Sequence, residues 1–526
     1  MMNLPSVMNH QFSQVPKADI PRSAFNRSHG YKTTFDSGYL VPVFIDEALP
    51  GDTFNCKMTA FARLATPIAP IMDNLYLDTF FFAVPYRLVW NNWQKFNGEQ
   101  TDPGDSTDYL IPQMLAPAGT GHAVGSLSDY MGLPTGVATL SHSSLWHRAY
   151  NLIWNEWFRD QNLQDSLVVD KDDGPDASTD YVLKKRGKRH DYFTSCLPFP
   201  QKGDAISIPL GTSAPVKLDA TTGTSSQWQV RNASNNALMN AGYMESDVSG
   251  YLEEGGGAKL KLDPRNTLYT DLTNATAATI NSLREAFQLQ KLYERDARGG
   301  TRYTEIIKAH FGVTSPDARL QRPEYLGGGS TPIRISPVAQ TSSTDAETPQ
   351  GNLAAFGTAA ASGHGFTKSF TEHTLLIGLV NVRADLNYQQ GLNRMFSRST
   401  RWDFYWPALS HIGEQPVYNK EIYAQNDAND DLVFGYQERY AEYRYKPSQI
   451  TGKFRSTYST PLDQWHLAQE FSSLPVLNDT FIQEAPPIER VIAVPSEPQF
   501  LLDTYFDLKC ARPMPVYSVP GLIDHF

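Results

Sequence analysis

Four tyrosines, Tyr436, Tyr440, Tyr443 and Tyr445, interleave with Glu438, Arg439, Glu442, Arg444 and Lys446, and Pro447 closes the run. Tyrosine offers a large contact area with a hydroxyl at its tip, and arginine offers a planar fork for carboxylates and phosphates. The chemistry on offer is recognition: a half-wet surface that meets something large. On residue types alone an amphipathic solvent face fits equally well. Two more places carry charge with a purpose to be found. Segment 170–180 (DKDDGPDASTD) is acidic and 184–190 (KKRGKRH) strongly basic. The basic knot fits phosphate binding, a neighbouring chain's acidic loop, or plain solvation, the last being the simplest. Segment 21–29 (PRSAFNRSH) sets Arg and His beside Phe. That mixture suits unpaired nucleic acid, since phosphates are neutralised while a base stacks. A terminal arm tied down against a sheet suits it equally.

Bond-making chemistry finds no foothold. G-x-S-x-G fails at Pro215 after Gly211-Thr212-Ser213, and Gly187-Lys188 and Gly452-Lys453 lack the upstream glycine of a phosphate loop. Glu372-His373 has no second histidine, and Gly363-x-Gly365 lacks the third glycine of a dinucleotide loop. The twelve histidines show no metal spacing. Carboxylate pairs such as Glu253-Glu254 and Asp172-Asp173 sit in loops where solvation is the ordinary state. A glycosidase can assemble its acid and base from distant positions, so motifs alone do not close that door. No enzyme activity, cofactor or metal is expected.

The elements behind these residues are mostly strands. The 526-residue chain has 12% aromatic and 19% charged residues, 35 prolines and 36 glycines. That is a strand-and-loop composition. Its formal net charge of -11 means that any enclosed nucleic acid needs other molecules to neutralise it. Cys56, Cys196 and Cys510 are odd in number and far apart, against a disulfide framework or a zinc site. No apolar run approaches the roughly 20 residues that cross a bilayer, and no secretory h-region is visible. A soluble protein made in a reducing compartment is expected, with no membrane insertion.

From Phe54 the alternation is clean: Phe54, Cys56, Met58, Ala60, Ala62 and Leu64 face one way, with Phe61 the lone exception opposite. Segments 75–84 (LYLDTFFFAV) and 375–382 (LLIGLVNV) read as strands covered on both faces, and Gly378 allows close approach. Shorter strands are expected at 206–210, 402–406, 417–423 and 499–507. Helices are expected over 145–157, 280–296 and 303–311. Leu283, Ala286, Phe287, Leu289 and Tyr293 face inward on the second. Gly312 stops the third, where His310 reads as a buried structural histidine. Segments 211–258 and 327–365, each bordered by glycine clusters, show no core-forming period and read as long loops. Residues 1–38 form a polar arm.

Six blocks together are specific: PRSAFNRSH (21–29), DNLYLDTFFFAVPYRLVWNNW (73–93), HDYFTSCLPFPQKGD (190–204), HFGVTSPDARLQRPEYLGG (310–328), GYQERYAEYRYKPS (435–448) and VPGLIDHF (519–526). They span the chain, and the whole resembles the major capsid proteins of gokushoviruses, single-stranded-DNA phages of the Microviridae. The resemblance implies a mainly β fold, a single eight-stranded antiparallel jelly roll (β-sandwich) with long inter-strand insertions containing several helices. It implies a T=1 icosahedral shell of identical copies around circular single-stranded DNA, in a virion assembled in the bacterial host cytoplasm. A small basic DNA-binding viral protein and a host-cell surface receptor are implied partners. A large insertion at 205–275 is expected to form a projection at each three-fold axis and to meet the host. On that reading Tyr440, Tyr443, Arg444 and Tyr445 lie at or near a subunit seam. Arg22, Arg27, His29 and Lys32 contact DNA, and Trp228, Asn235, Tyr243 and Tyr251 belong to the attachment loop. The rival readings are a phage adhesin or carbohydrate-binding β-protein, and a β-sandwich hydrolase with dispersed carboxylates. Neither explains six blocks.

Overall fold

The computed structural model describes residues 21–204, 280–313, 321–342 and 349–517, with short stretches between 206 and 270. Eleven strands matter here: β1 (Ser23–Asn26), β2 (His29–Phe35), β3 (Val41–Ala48), β4 (Thr53–Leu64), β5 (Leu75–Pro85), β6 (Glu324–Ala339), β7 (Leu353–Ser369), β8 (Thr374–Ala384), β9 (Glu414–Tyr418), β10 (Val433–Glu438) and β11 (Phe500–Arg512). Nine form one antiparallel sheet in the order β1-β11-β4-β7-β6-β5-β8-β3, with β2 also on β11. Because β1 and β2 share that neighbour end to end, the sheet is eight strands wide.

The sheet rolls up. Phe44 on β3 and Phe506 on β11 lie six strand steps apart along the order, yet their rings are 5.2 Å apart. In a flat sheet that separation would be roughly 29 Å. The rolled interior takes the inward set of β4, namely Phe54, Cys56, Met58, Ala60, Ala62 and Leu64, with Phe81, Phe366, Phe500 and Leu508. Phe61 points out, as the alternation requires. This curled antiparallel sheet is the jelly-roll architecture expected from the resemblance.

Strands β5 and β8 are covered on both faces. Their second face, with Phe82, Val84, Leu375, Ile377 and Leu379, packs under helix α1 (Leu145–Ile153) through Leu145, Ala149 and Tyr150. At Gly378 an added Cβ would lie 2.8 Å from that of Phe44, the close approach that the sequence anticipates. Two long insertions carry the rest, residues 86–323 after β5 and 385–499 after β8. The three cysteines are free and buried. By internal contacts residues 1–200 and 299–526 form one unit and residues 201–298 another. The second unit holds several strands of two to five residues, in sheets of five and two, and helix α2 (Ile280–Arg298). The expected 205–275 insertion lies within it, and segment 211–258 is therefore not strand-free.

Several expectations are corrected. Segment 327–365 is not a loop: it supplies most of β6 and β7, sixteen and seventeen residues long. Small residues hid the alternation, yet Ala355, Ala359 and Ala361 are buried in step, and Phe366 is buried after a register shift at Ser362–His364. A Cβ at Gly328 would overlap the Thr79 carbonyl, and one at Gly365 the Cys56 carbonyl. Side chains were excluded there because neighbouring strands lie too close. Residues 402–406 are not a strand but begin as a 3-10 turn at Arg401–Asp403. Asp403 caps that turn by accepting from the Thr400 N–H at 2.6 Å. Segment 417–423 starts in β9 but turns helical at Asn419–Ile422. On helix α3 (Tyr303–Phe311), which ends at Gly312 with φ 70°, His310 is half-buried rather than buried and Phe311 is exposed. Phe287 and Leu289 on α2 are also exposed, so the inward stripe is narrower than its spacing suggested. From Ser23 the arm runs as sheet strands, and residues 1–20 and 207–210 lie outside the described residues.

The basic knot is internal. Arg186 pairs with Asp78 at 2.6 Å, and Arg383 reaches the same oxygen at 2.8 Å. Burial works to raise the Asp78 pKa, but hydrogen bonding and the two guanidiniums offset it and hold the carboxyl below its ordinary value. Lys185 sits over Tyr39 and Lys188 over Phe481. Burial lowers the Lys188 pKa to about 8, although Glu484 and Asp191 oppose the shift. Burial also pushes the Glu484 carboxyl from 4.5 up to about 7, against its hydrogen bond from the Ala384 N–H and the pull of Lys188. A raised acid means that the folded state holds a proton the unfolded chain has released. Stability therefore falls as pH rises from 4.5 to 7, by roughly 3 kcal/mol from this group. Denaturant unfolding of wild type and Glu484→Gln at pH 5 and 7.5 should show that difference shrinking in the variant. Equal pH slopes would contradict it.

Candidate self-association surface

The tyrosine run begins on β10, whose partner β9 holds it in antiparallel register. At Tyr440 the backbone turns left-handed (φ 64°) and buries the ring, 4% exposed. Its N–H donates to Gln415 Oε1 at 3.0 Å. The turn throws Tyr443, Arg444 and Tyr445 outward, with Tyr443 50% exposed. Arg444 pairs with Glu438 on the same rim.

A second group meets this run. Tyr405 stacks edge-on against Tyr440 and Tyr443 at 5.2 and 6.2 Å. Arg398 lies 4.4 Å from the Tyr443 ring centre and 5.3 Å from that of Phe404. Arg401 lies 4.5 Å from the Trp406 ring. Trp402, 5.4 Å from Arg401, stands 60% exposed, and Met395, Phe396 and Ile412 in the flanking sequence are exposed too. The base is rigid and ionic. Arg394 donates to Glu421 at 2.9 Å, Glu421 accepts from the Tyr192 hydroxyl at 2.9 Å, and Gln415 donates to Glu442 at 2.6 Å. Burial raises the Glu421 pKa despite Arg394.

Large rings pinned by stacked arginines on a fixed floor lose little freedom on contact, which is what a protein–protein seam needs. A contiguous exposed patch of this kind marks an interaction site. The sequence signalled the Tyr440–Tyr445 half and missed the Trp402–Trp406 half. The available sign was W-D-F-Y-W between Arg401 and Pro407, aromatic at every position but one and so not alternating.

The other expected residues are dispersed. Arg27 is paired with Asp46 at 2.6 Å, and Lys32 with Asp503 at 3.6 Å. Arg22 donates to Thr53 at 2.9 Å, and the His29 ring stacks 5.2 Å from Phe506. All four thus line the β1–β2 edge beside β11. Asn235 is exposed in a turn and accepts from the Ala237 N–H at 3.0 Å. Trp228, Tyr243 and Tyr251 lie outside the described residues. Among the described residues, no His, Cys, Asp and Glu group of three or more is placed to hold a metal ion, and no helix is long and apolar enough to cross a membrane.

A family model described as capsid protein (F protein) matches residues 13–522. The chain belongs to the phage F capsid protein family. It is 51% identical to capsid protein VP1 of Bdellovibrio phage phiMH2K, over 98% of both chains. It is 46% identical to capsid protein VP1 of Chlamydia phage 1, over 99% of this chain and 98% of that one. Spiroplasma virus 4 has a capsid protein VP1 that is 38% identical over 98% and 97%. As a major capsid protein of this kind, the chain self-assembles into a shell.

Proposed function

We propose that this capsid protein forms a T=1 icosahedral shell around circular single-stranded DNA, assembled in the host cytoplasm. The observation that carries the reading is the Trp402–Tyr445 surface, a pre-ordered aromatic patch that the described residues leave exposed. A closed shell needs heterologous contacts whose rotations close rings, and many weak contacts give stability while errors dissociate. Tyr443, Arg444 and Tyr445 meet a neighbouring copy, and Tyr440 braces them from beneath.

The net charge of -11 supports a division of labour in which a small basic viral protein neutralises most of the DNA. The edge bearing Arg22, Arg27, His29 and Lys32 faces that DNA. The 205–275 insertion, with Trp228, Asn235, Tyr243 and Tyr251, projects outward and meets a host-cell receptor. Its separation as a unit by internal contacts supports that role, since such a unit can vary while the roll stays constant. Deleting much of 211–258 should leave shells visible by electron microscopy and lower host adsorption. Loss of the rolled core, or unchanged adsorption, would contradict the assignment.

A further inference from the structure

The internalised basic segment borders a cavity of about 410 Å³. One wall is aromatic. Phe80, Phe82, Trp157, Phe158 and Tyr325 touch in a chain, with Phe80 and Phe158 at 5.3 Å, Phe82 and Trp157 at 5.6 Å, and Trp157 and Tyr325 at 6.0 Å. The Trp157 ring is fixed by its indole N–H, which donates to the Pro323 carbonyl at 2.9 Å. The other side is cationic, formed by Arg186, Lys188, Arg189, His190 and Arg383.

From this geometry we infer that the cavity takes one nucleotide unit of single-stranded nucleic acid. The base lies against Trp157 and Tyr325, and the phosphate lies between Arg186, Arg189 and Arg383. This rests on the proposed enclosure of single-stranded DNA and adds a site to it. Exposed aromatic rings beside guanidinium forks are the arrangement that binds unpaired bases without reading sequence. A duplex would keep its bases stacked inside and leave the wall unused.

The charges are under-matched. The carboxylates facing the five basic groups are Asp78, shared by Arg186 and Arg383, Asp385, paired with Arg189 at 3.1 Å, Asp191 near Lys188, and the buried Glu484. Burial and then the nearby Arg383 lower the Arg186 pKa, so the two guanidiniums work against each other. The Arg189 Nε–H is buried with no hydrogen-bond partner among the described residues. A phosphate between the forks relieves the repulsion of Arg186 and Arg383. Arg186 also lies 4.7 Å from the Phe80 ring centre, which holds its fork at the mouth of the wall.

The test uses the full chain and a fluorescent 12-nucleotide oligodeoxythymidylate, with anisotropy read across a salt series. Tyr325→Ala should weaken binding roughly tenfold with the salt slope unchanged. Arg189→Gln should lower the slope by about 0.7, the share of one phosphate contact on a single strand. Thymidine monophosphate should compete at high concentration, and a duplex of equal length should bind less well. Unchanged affinity in both variants, or duplex binding equal to single strand, would overturn the site. If Tyr325→Ala stops shell formation but leaves oligonucleotide affinity intact, the cavity holds a neighbouring chain's segment and the inference is also overturned. Electron microscopy of the same preparations separates the two failures. Shells with DNA but no effect of the variants would sink the site alone, and no shells from wild type would sink the enclosure reading.

Discussion

Asp176→Ala is expected to lower stability by about 3–5 kcal/mol, the usual result of leaving half of a buried ion pair behind. Asp176 and Arg148 have fully buried side chains, and the Nε/Nη2 edge of the guanidinium meets the carboxylate two-pronged. Arg148 Nε donates to Asp176 Oδ2 at 2.7 Å, and the Tyr181 hydroxyl donates to the same oxygen at 2.6 Å. Arg148 Nη1 also donates to the carbonyls of Val89 and Asp172, at 3.1 and 2.9 Å. The pair ties helix α1 to the loop after strand β5 and to the acidic segment. The alanine variant strands a buried guanidinium whose one remaining carboxylate is the solvent-exposed Asp172, 3.4 Å away. Urea unfolding at neutral pH should show the loss as a lower midpoint. An Arg148→Met, Asp176→Leu double variant should lose much less, because no charge is left unpaired. A single variant within about 0.5 kcal/mol of wild type would refute the pair's role.

Trp402→Glu and Arg444→Glu should each abolish shell formation while leaving the protomer folded. Trp402 and the Arg444 side chain stand 60% and 51% exposed, so the substitutions disturb little within one copy. At a seam, a carboxylate in place of Trp402 must be buried without a partner, and Arg444→Glu sets a second carboxylate against Glu438. Each penalty is repeated at every equivalent contact, so a modest loss per contact removes the shell. Sedimentation should show free subunits with an unchanged unfolding midpoint. Particles of normal size and yield from both variants would place the seam elsewhere.

The fold was legible where period-two patterning was carried by large residues. Phe54 to Leu64 and Leu75 to Val84 announced themselves, and the structure puts both in the rolled sheet. Strands β6 and β7 were not legible, since Gly328, Gly357 and Gly365 answer the closeness of neighbouring strands, which no local pattern records. The basic knot misled for a related reason. Its charges point to water until Asp78, more than a hundred residues earlier, is known to meet Arg186. Half of the candidate surface was visible because tyrosines and arginines alternate around Tyr440. The other half is assembled by a turn at Asp403 and by rings that stack across about 38 positions of sequence, as Tyr405 does on Tyr443. Tyr440 reads as a contact from the sequence, yet its left-handed backbone turns the ring inward within one copy.

Self-association is the claim on which the rest depends, and electron microscopy of the purified full-length chain under assembly conditions tests it most directly. The expected image shows closed particles of one diameter with icosahedral symmetry of the T=1 class. A field of isolated protomers at every protein concentration and salt condition would contradict it.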